Sequence, residues 1–538
     1  MGKKVRVESK FSNNALPEES VFVIEDYLKI ASVKEARILT DKIYSENRPF
    51  LQKFKHLNYE VSWAWYSDIH QFCISFLEIK GLLEKIELLN PDEIKISKTV
   101  SPIYKEVIQR YFFKLNFKSN RKQKQSKKNI VINLINIFAL TYSLLSIVKI
   151  YFSRKKYIGT YTGDFIYENT GSDFRLNTLY SEYDKNAVNY IEFIRLTSVK
   201  NFIQNLIKRK RPVIYISSFS NLLKPFFAKK KYKNLPMNFY ESILFSYYSN
   251  NLRLLKEINI FSKILRLLKI KKLVLISFSS RSANLSFAAK ALNIQTIGIM
   301  HGLQQKEYAV YEFMESYPHK DKIGCDVYGC WSNHYKNYFK KFSKISNPQS
   351  FFYSGLLRPV KFFNKTSFKR VSHNKIKILF ITEPLINQKE VENILKNLLD
   401  VAYFEIHIKL RPMINNHHYD ELEKLLPGVS KLKKVYGKID EIADEYDVFI
   451  GSHSTAVIEA SLHNKISIVF QTQKFGDYFD LSQLDKSYLI KNHKLIAKEV
   501  KRRVKLEKDI KSINKIRSHF FGSNKNGAKW IVDKVCEI

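Results

Sequence analysis

Short apolar runs that end abruptly in small, hydroxyl or basic residues recur along the chain, and helical patterns separate them. The clearest runs are Leu273–Ser277, Ile294–Met300, Phe404–Leu410 and Val448–Ile450. Continuous apolar runs of this length are typical of parallel strands that are buried on both faces. The alternation of such runs with helices predicts an α/β fold with parallel sheets.

The predicted strands fall into two sets, which the polar stretch 365–375 separates. Open α/β sheets bind ligands at the carboxyl ends of their strands, so two sets indicate two ligand-binding edges. We therefore expect two facing Rossmann-like domains, one at 157–364 and the other, with additional C-terminal helices, at 376–538. Residues 1–120 form an additional N-terminal α/β region with no role that the pattern assigns.

Two further segments of the first set are also predicted as strands. Tyr190–Ile194 and Pro212–Ser218 are apolar runs on either side of the helical pattern Ser198–Arg209. Together with the two runs after residue 270, they predict the sheet of the first Rossmann-like domain.

Residues 121–156 combine a basic run, Arg121–Lys128, with the most apolar stretch of the chain, Ile130–Phe152, which Arg154–Lys156 follow. Polar side chains recur within this stretch at helical spacing, at Asn133, Asn136, Ser143 and Ser146. The stretch is just long enough to span a bilayer, but a polar stripe with basic flanks favours a helix that lies in the membrane interface. A buried helix between two domains and a transmembrane helix are the alternatives.

The composition restricts the possible partners. The formal net charge is +39, from 90 basic and 51 acidic residues. This charge indicates either solvated lysines alone or attraction to anions such as a membrane surface or phosphorylated substrates. No RNA-recognition, zinc-finger or helix-turn-helix signature is present, so no nucleic-acid partner is expected. The four cysteines form no CxxC pair, which favours a reducing compartment, and the N-terminus has no apolar core of a signal peptide, so secretion is not expected.

Hydroxyl side chains follow one strand of the second set. Ser452, Ser454 and Thr455 come after Val448–Ile450 and open a predicted helix that contains Glu459. A helix N-terminus with hydroxyl donors suits a nucleotide phosphate, and Glu459 is placed to accept ribose hydroxyls. The alternatives are N-capping by the hydroxyls and a favourable charge of Glu459 within the helix.

Basic residues follow the neighbouring strand of the second set. Lys409 and Arg411 lie at the end of Phe404–Leu410, where they would neutralise the same phosphates; the alternative is an ordinary surface position.

The first set of strands carries a second group of candidates. His301 follows Ile294–Met300, where it would act as a general base or a phosphate ligand, and Gly302 would let a substrate approach the backbone. Arg281 follows Leu273–Ser277 and would hold an anionic substrate. Zinc-protease, serine-hydrolase and Walker A signatures are absent and no cluster has metal-ligand spacing, so no metal and no cofactor are expected.

The order of these segments resembles that of bacterial surface-polysaccharide glycosyltransferases with the GT-B fold. These include capsule and lipopolysaccharide transferases, CDP-glycerol glycerophosphotransferase-like enzymes, and sialyl- or Kdo-transferase-like enzymes. The matching positions are Arg281, His301-Gly302, Asp326–Trp331, Ser354–Pro359, Ile408–Pro412 and Ser452–Ala460. The resemblance covers residues 160–535 and is closest over 270–480.

The resemblance implies roles for individual residues. His301 would lie near the reacting centre, and Ser454, Thr455 and Glu459 would match the family's donor-binding helix start. The residues that would match its phosphate-contacting Lys-x-His-Pro segment are Lys409, Arg411 and Pro412. Arg411 stands where the family has histidine; a guanidinium binds phosphate bidentately, but it cannot act as an acid or base.

The resemblance implies a metal-independent glycosyltransferase that transfers a sugar from a nucleotide-activated donor to a growing cell-surface polysaccharide or a lipid-linked acceptor. Such an enzyme would be cytoplasmic and peripheral on the inner face of the cell membrane. Two alternatives stay open: a CDP-glycerol-type glycerophosphotransferase, and a non-catalytic basic binding protein on a degenerate transferase fold.

Overall fold

The computed structural model describes most of the chain. The described residues are 4–9, 20–115, 125–153, 155–163, 176–195, 199–208, 211–220, 238–308, 310–357, 375–382, 388–410, 432–436, 439–484, 488–505, 510–523 and 525–537. Side chains are described for most of these residues, with the start of the helix at 125–133 among the exceptions.

Eighteen strands are named in the described residues. In chain order they are β1 Lys4–Glu8, β2 Ser20–Val23, β3 Lys55–His56, β4 Tyr59–Glu60, β5 Glu93–Ile96, β6 Ile158–Gly163, β7 Tyr190–Arg195, β8 Val213–Tyr215, β9 Lys272–Ile276, β10 Gln295–Ile299, β11 Val327–Cys330, β12 Phe351–Tyr353, β13 Ile376–Ile381, β14 Phe404–Lys409, β15 Lys433–Val435, β16 Val448–Gly451, β17 Ile466–Phe470 and β18 Leu489–Ile490.

Helices precede or follow most of the strands. They are Val33–Glu46, Arg48–Leu51, Tyr66–Leu89, Pro102–Tyr111, Gln125–Phe152, Asn177–Lys185, Val199–Lys208, Phe239–Phe245, Tyr248–Leu267, Ala283–Ala291, Val310–Phe313, Asn333–Phe342, Gln388–Leu399, Ile439–Ile442, Thr455–Glu459, Leu481–Leu484, Ile496–Lys505, Ile510–Phe521 and Gly527–Cys536.

Two large parallel sheets carry the two predicted domains. The first has seven strands in the order β12-β11-β10-β9-β6-β7-β8, and the second has six in the order β15-β14-β13-β16-β17-β18. Their central strands are buried along most of their length, as the apolar runs predicted. The predicted fold class, an α/β protein with two Rossmann-like domains and a further N-terminal α/β region, is confirmed.

One strand is shorter than the sequence predicts. The apolar run Pro212–Ser218 was expected to be extended throughout, but β8 covers only Val213–Tyr215 and the chain is helical from Ile216. An apolar run does not distinguish a buried strand from the first turn of a buried helix, which is why the strand was overestimated.

The N-terminal region packs against both large domains. Its own parallel sheet has the order β2-β1-β5, and its core contains the stacked or tilted rings of Tyr44, Trp63 and Tyr66. Glu60 lies 2.9 Å from His319 of the first Rossmann-like domain. Lys474 of the second domain lies 2.9 Å from Glu78. The N-terminal region therefore contacts both sides of the molecule.

The last helix returns to the first large sheet. Gly527–Cys536 buries Ala528, Ile531 and Val532 in one cluster with residues of β9 and β10, although it follows the second domain in sequence. Gly527 N–H donates to the Leu356 carbonyl at 2.8 Å, and a Cβ at Gly527 would lie 2.7 Å from that same oxygen. Only glycine allows this close approach of the two segments.

The apolar helix Gln125–Phe152 lies against the edge strand β8, with Ser143 and Ser146 turned toward the protein. Ser143 Oγ donates to Ala139 O at 2.6 Å and accepts from Tyr215 N–H at 2.9 Å, so it satisfies a backbone group of that strand. Ser146 is also buried, whereas large apolar side chains on the other face are exposed, among them Phe138 at 63% and Leu145 at 64%. Part of this helix, Leu134–Phe152, is long and apolar enough to cross a membrane by length and composition.

Candidate active site

The carboxyl ends of strands from the two large sheets meet at the loop that carries His301. Leu303 N–H donates a long hydrogen bond, 3.5 Å, to Thr455 Oγ1 of the second domain. Tyr478 OH donates to Leu303 O at 3.3 Å. Both contacts involve main-chain atoms two residues after His301, so the two groups of candidate residues are brought to one region.

An aromatic cluster that sequence reasoning did not identify lies beside this contact. The ring of Tyr308, from the first domain, lies 4.7 Å from Phe475 and 4.5 Å from Tyr478, measured between centroids. His453 lies 4.0 Å from Phe475, and its Nδ1 is 2.9 Å from Ser452 Oγ. Packing between rings from both domains stabilises the present arrangement of the two domains. His453 belongs to this cluster, which fixes its ring through Ser452 and Phe475.

Lys409 is a buried cation at the carboxyl end of β14. Only 9% of the residue is exposed, and burial lowers the pKa of its ammonium group, while the carboxylates of Glu459 and Glu441 act in the opposite direction. Lys409 therefore lies near Glu459, which is the last residue of the helix Thr455–Glu459. A partly desolvated ammonium interacts more strongly with a phosphate than a solvated one does.

The hydroxyl groups at the start of this helix have different environments. Ser452 is buried and bonded to His453, whereas Ser454 and Thr455 are half-buried. Ser454 is the N-cap residue, yet its side chain makes no capping hydrogen bond among the described residues. Thr455 is the residue that contacts Leu303. The alternative interpretation, that the Ser454 hydroxyl serves only to cap the helix, is therefore not supported by this structure.

His301 and Gly302 are half-buried immediately after β10 and Met300. A Cβ placed on Gly302 would meet no described atom within 4 Å, so open space lies next to this backbone. A ligand could approach the chain at this point without displacing a side chain.

A buried carboxyl group supports the loop after His301. Glu312 Oε1 lies 3.1 Å from Tyr328 OH, which is also 3.4 Å from Gln304 Oε1. Burial raises the pKa of Glu312 to about 8, although hydrogen bonds from Tyr328 and Ser277 act to lower it. Glu312 is therefore mostly protonated at neutral pH and holds Tyr328 beneath the loop.

Arg281 lies in the loop after β9, on the same sheet edge as His301, and is exposed. Two residues that sequence reasoning missed lie with it: Asp68 from the N-terminal region, and Arg195 at the end of β7. Arg195 ends an apolar strand as the predicted candidates do, so its position gave a usable signal. Asp68 comes from outside the Rossmann-like pattern, and nothing in that pattern indicated it.

Two predicted phosphate ligands, Arg411 and Pro412, lie outside the described residues. Among the residues that the structure does describe, no group of three or more His, Cys, Asp or Glu side chains is arranged to hold a metal ion. The candidate residues that the structure describes are His301, Gly302 and Arg281 on one sheet edge, and Lys409 with the Ser452–Glu459 segment on the other.

No protein-family model matches the sequence, and no curated protein matches it. Solved structures that match the chain include a glycosyltransferase from Rickettsia africae, with 12% identity, 71% of this chain and 98% of that chain covered, and a TM-score of 0.44. The UDP-GlcNAc 2-epimerase from Neisseria meningitidis bound to UDP-GlcNAc has 13% identity, 70% and 99% coverage, and a TM-score of 0.44. MurG from Acinetobacter baumannii has 10% identity, 71% and 100% coverage, and a TM-score of 0.41. Likeness at these identities and TM-scores carries no statement about activity, and the fold assignment rests on the two parallel sheets of the chain itself.

Proposed function

We propose that the protein is a glycosyltransferase that transfers a sugar from a nucleotide-activated donor to a growing cell-surface polysaccharide or a lipid-linked acceptor. The observation that carries this proposal is the contact between Leu303 and Thr455, which joins the loop of His301 to the helix expected to bind the donor. Transfer between two substrates requires both to be held at one place in a fixed orientation, and this contact supports such an arrangement.

In the proposed reaction, an acceptor hydroxyl oxygen attacks the anomeric carbon of the donor sugar. Its proton passes to the His301 imidazole, and the bond from the sugar to the nucleotide phosphate breaks. The nucleotide leaves with the electron pair, and Lys409, Ser454 and Thr455 stabilise its negative charge. Glu459 is proposed to accept ribose hydroxyls, and the scheme needs no metal ion.

The first test is nucleotide binding, measured as the change in melting temperature with CMP, UDP, GDP and their sugars. We expect one nucleotide and its sugars to raise the melting temperature, since a ligand that binds only the folded state stabilises it. The products formed with the donor that binds would then be analysed. A phosphodiester product from CDP-glycerol would show glycerophosphate transfer instead of glycosyl transfer. The absence of any nucleotide binding would contradict the proposal and favour a non-catalytic binding protein.

The second test is His301→Ala, compared with His56→Ala in the hairpin β3–β4. Loss of a general base should reduce the rate of transfer about 10²–10⁴-fold and leave nucleotide affinity unchanged. His56→Ala should retain the wild-type rate. Full activity of His301→Ala would remove this residue from the mechanism.

The proposal also includes peripheral attachment to the inner face of the cell membrane from the cytoplasm. It is supported by the exposed apolar side chains of Leu134–Phe152 and by Ile203 and Ile207, which are exposed on the contacting helix Val199–Lys208. Lys149 and Lys155 are exposed, and the basic run Arg121–Lys128 overlaps the start of the helix in sequence. Apolar side chains flanked by cations suit a bilayer with anionic headgroups.

A further inference from the structure

A charged cluster joins the N-terminal region to the first large sheet. Asp68, in the first turn of the helix Tyr66–Leu89, is hydrogen-bonded to Ser280 and interacts with the charges of Arg281 and Arg195. Ser280 and Arg281 follow β9, and Arg195 is the last residue of β7. Three separate parts of the chain therefore contribute to one polar group.

The sheet topology places this cluster on the edge that carries His301. The strand order is β10-β9-β6-β7, and every neighbouring pair is parallel, so the carboxyl ends of these strands share one edge. His301 follows β10 on this edge, and the Leu303 contact to the second domain lies there too. Ligands of open α/β sheets bind outside such carboxyl ends. The charged cluster thus lies along the acceptor side of the proposed site.

The Asp68 carboxyl group is accessible to solvent and has polar and charged neighbours. Burial by nearby protein atoms nevertheless raises the pKa of this carboxyl group, while Ser280, Arg281 and Arg195 act to lower it. Arg195 Nε is buried and has no hydrogen-bond partner among the described residues.

A half-buried aromatic pair lies close to the cluster. Trp65 and Tyr247 stack with 5.4 Å between ring centroids, and Trp65 Nε1 donates to Asn251 Oδ1 at 2.7 Å. Asp68 is near enough to Tyr247 to raise the pKa of its hydroxyl, although burial is the larger cause. Aromatic faces beside a few fixed polar groups are typical of small-molecule sites.

We propose that Asp68, Arg195 and Arg281 form an acceptor subsite that binds an anionic sugar residue of the acceptor. Two arginines interact with one carboxylate, so these three residues carry one excess positive charge that a phosphate or carboxylate of the ligand would balance. Asp68 would accept a hydrogen bond from a hydroxyl of the same sugar. This inference rests on the proposed function, because it assigns the N-terminal region a part in binding the acceptor of that reaction.

The test uses the full-length protein with its donor site saturated by the nucleotide that binds best, so that an added anion reports the acceptor side. Glucose 6-phosphate and glucuronic acid represent the two anionic groups, and glucose is the neutral reference. Wild-type protein should bind one or both anionic sugars and bind glucose at least tenfold more weakly. Arg195→Gln and Arg281→Gln should each weaken the binding of the anionic sugars about tenfold or more, since each variant loses a hydrogen bond between charged groups.

Asp68→Asn separates ligand binding from a purely structural role. Removal of the carboxylate charge should strengthen the binding of inorganic phosphate and weaken that of glucose 6-phosphate relative to phosphate, because the acceptor for the sugar hydroxyl is lost. Loss of a structural ion pair alone would lower the melting temperature without this opposite change. Arg266→Gln, at an exposed site on the helix Tyr248–Leu267, is the matched control and should leave all affinities unchanged.

The outcomes distinguish this inference from the function on which it rests. Nucleotide binding with no binding of anionic sugars, or with anionic affinities that Arg195→Gln and Arg281→Gln leave unchanged, would overturn the acceptor subsite and leave the proposed function intact. If no nucleotide binds, the titrations would be done without one. An arginine-dependent anion affinity would then mark an anion site that is not an acceptor subsite, and both proposals would be overturned.

Discussion

Replacement of Glu312 by glutamine should remove a pH-dependent contribution to the stability of the sheet edge beneath His301. The pKa of Glu312 is raised from 4.5 to about 8 by burial, so the folded protein favours the protonated carboxyl group. Its stabilising contribution is therefore full below pH 4.5 and is lost as the pH rises through about 8. At about 1.4 kcal/mol per pKa unit, the complete loss amounts to about 5 kcal/mol. Between pH 5.5 and 7.5, the same relation gives a loss of about 2–3 kcal/mol.

The comparison with wild type isolates Glu312 from other titrating groups. Burial lowers the pKa of His334 to about 4 and that of His519 to about 3. Their contribution to stability therefore increases as the pH rises toward 6.5, whereas that of Glu312 decreases with rising pH. Their contributions are the same in wild type and Glu312→Gln and cancel in the difference. Glutamine has nearly the volume of the neutral carboxyl group and can accept from Tyr328, so the two proteins should be similarly stable at pH 5.5.

Native-state hydrogen exchange is the suitable assay, since a chain of several domains does not unfold in one step. The free energy of opening would be measured for amides of β9, β10 and β11 at pH 5.5 and 7.5, with correction for intrinsic exchange. The advantage of Glu312→Gln over wild type should grow by about 2–3 kcal/mol across this interval. An equal difference at both pH values would refute the argument that Glu312 is neutral in the fold. Glu84→Gln, at an exposed position, should show no such change.

Three further predictions concern the site and the apolar helix. Gly302→Ala should melt at the wild-type temperature, since its Cβ meets no described atom within 4 Å, but should weaken nucleotide-sugar binding in a calorimetric titration; unchanged affinity would mean that no ligand approaches this backbone. Lys409→Met should weaken the binding of the nucleoside diphosphate about tenfold or more and leave the affinity for the free nucleoside unchanged. An equal loss of affinity for both ligands would contradict a phosphate contact. Phe138→Asp should reduce flotation with vesicles of phosphatidylcholine and phosphatidylglycerol, whereas Leu88→Asp, at a more exposed apolar position on the helix Tyr66–Leu89, should not; equal flotation of both variants would argue against this face as the lipid contact.

The strands that place the site were predictable because their burial leaves a direct trace in the sequence. The run Leu273–Ser277 corresponds to β9 and the run Val448–Ile450 to β16, each within one residue at either end. A strand covered on both faces must be apolar throughout, and the first polar residue after it marks the sheet edge. His301 and Lys409 were found in this way, as residues that follow or end such strands.

Features that depend on contacts between distant segments were not predictable in the same way. Asp68 reaches the cluster only because the N-terminal region packs over the edge of another domain's sheet, and local sequence patterns do not encode that packing. The orientation of Gln125–Phe152 is a second case: Ser143 and Ser146 gave the spacing of a polar stripe, but only the edge strand β8 determines that the stripe faces inward. The sequence spacing of such a stripe is the same whether its hydroxyl groups face solvent or accept hydrogen bonds from unpaired backbone N–H groups.

The contact at Leu303 links the position of the second Rossmann-like domain to the placement of His301. Thr455 and Tyr478 both bond to main-chain atoms of Leu303, so their geometry depends on the path of the loop and not on the identity of its side chain. Because His301 lies only two residues away, a movement of the second domain that keeps these bonds must also move the loop. The loop also contacts its own domain, because Tyr328 OH lies 3.4 Å from Gln304 Oε1 and 3.1 Å from Glu312 Oε1. The loop is therefore bonded to both domains, an arrangement that suits the base proposed at His301 and the donor proposed to bind the second domain.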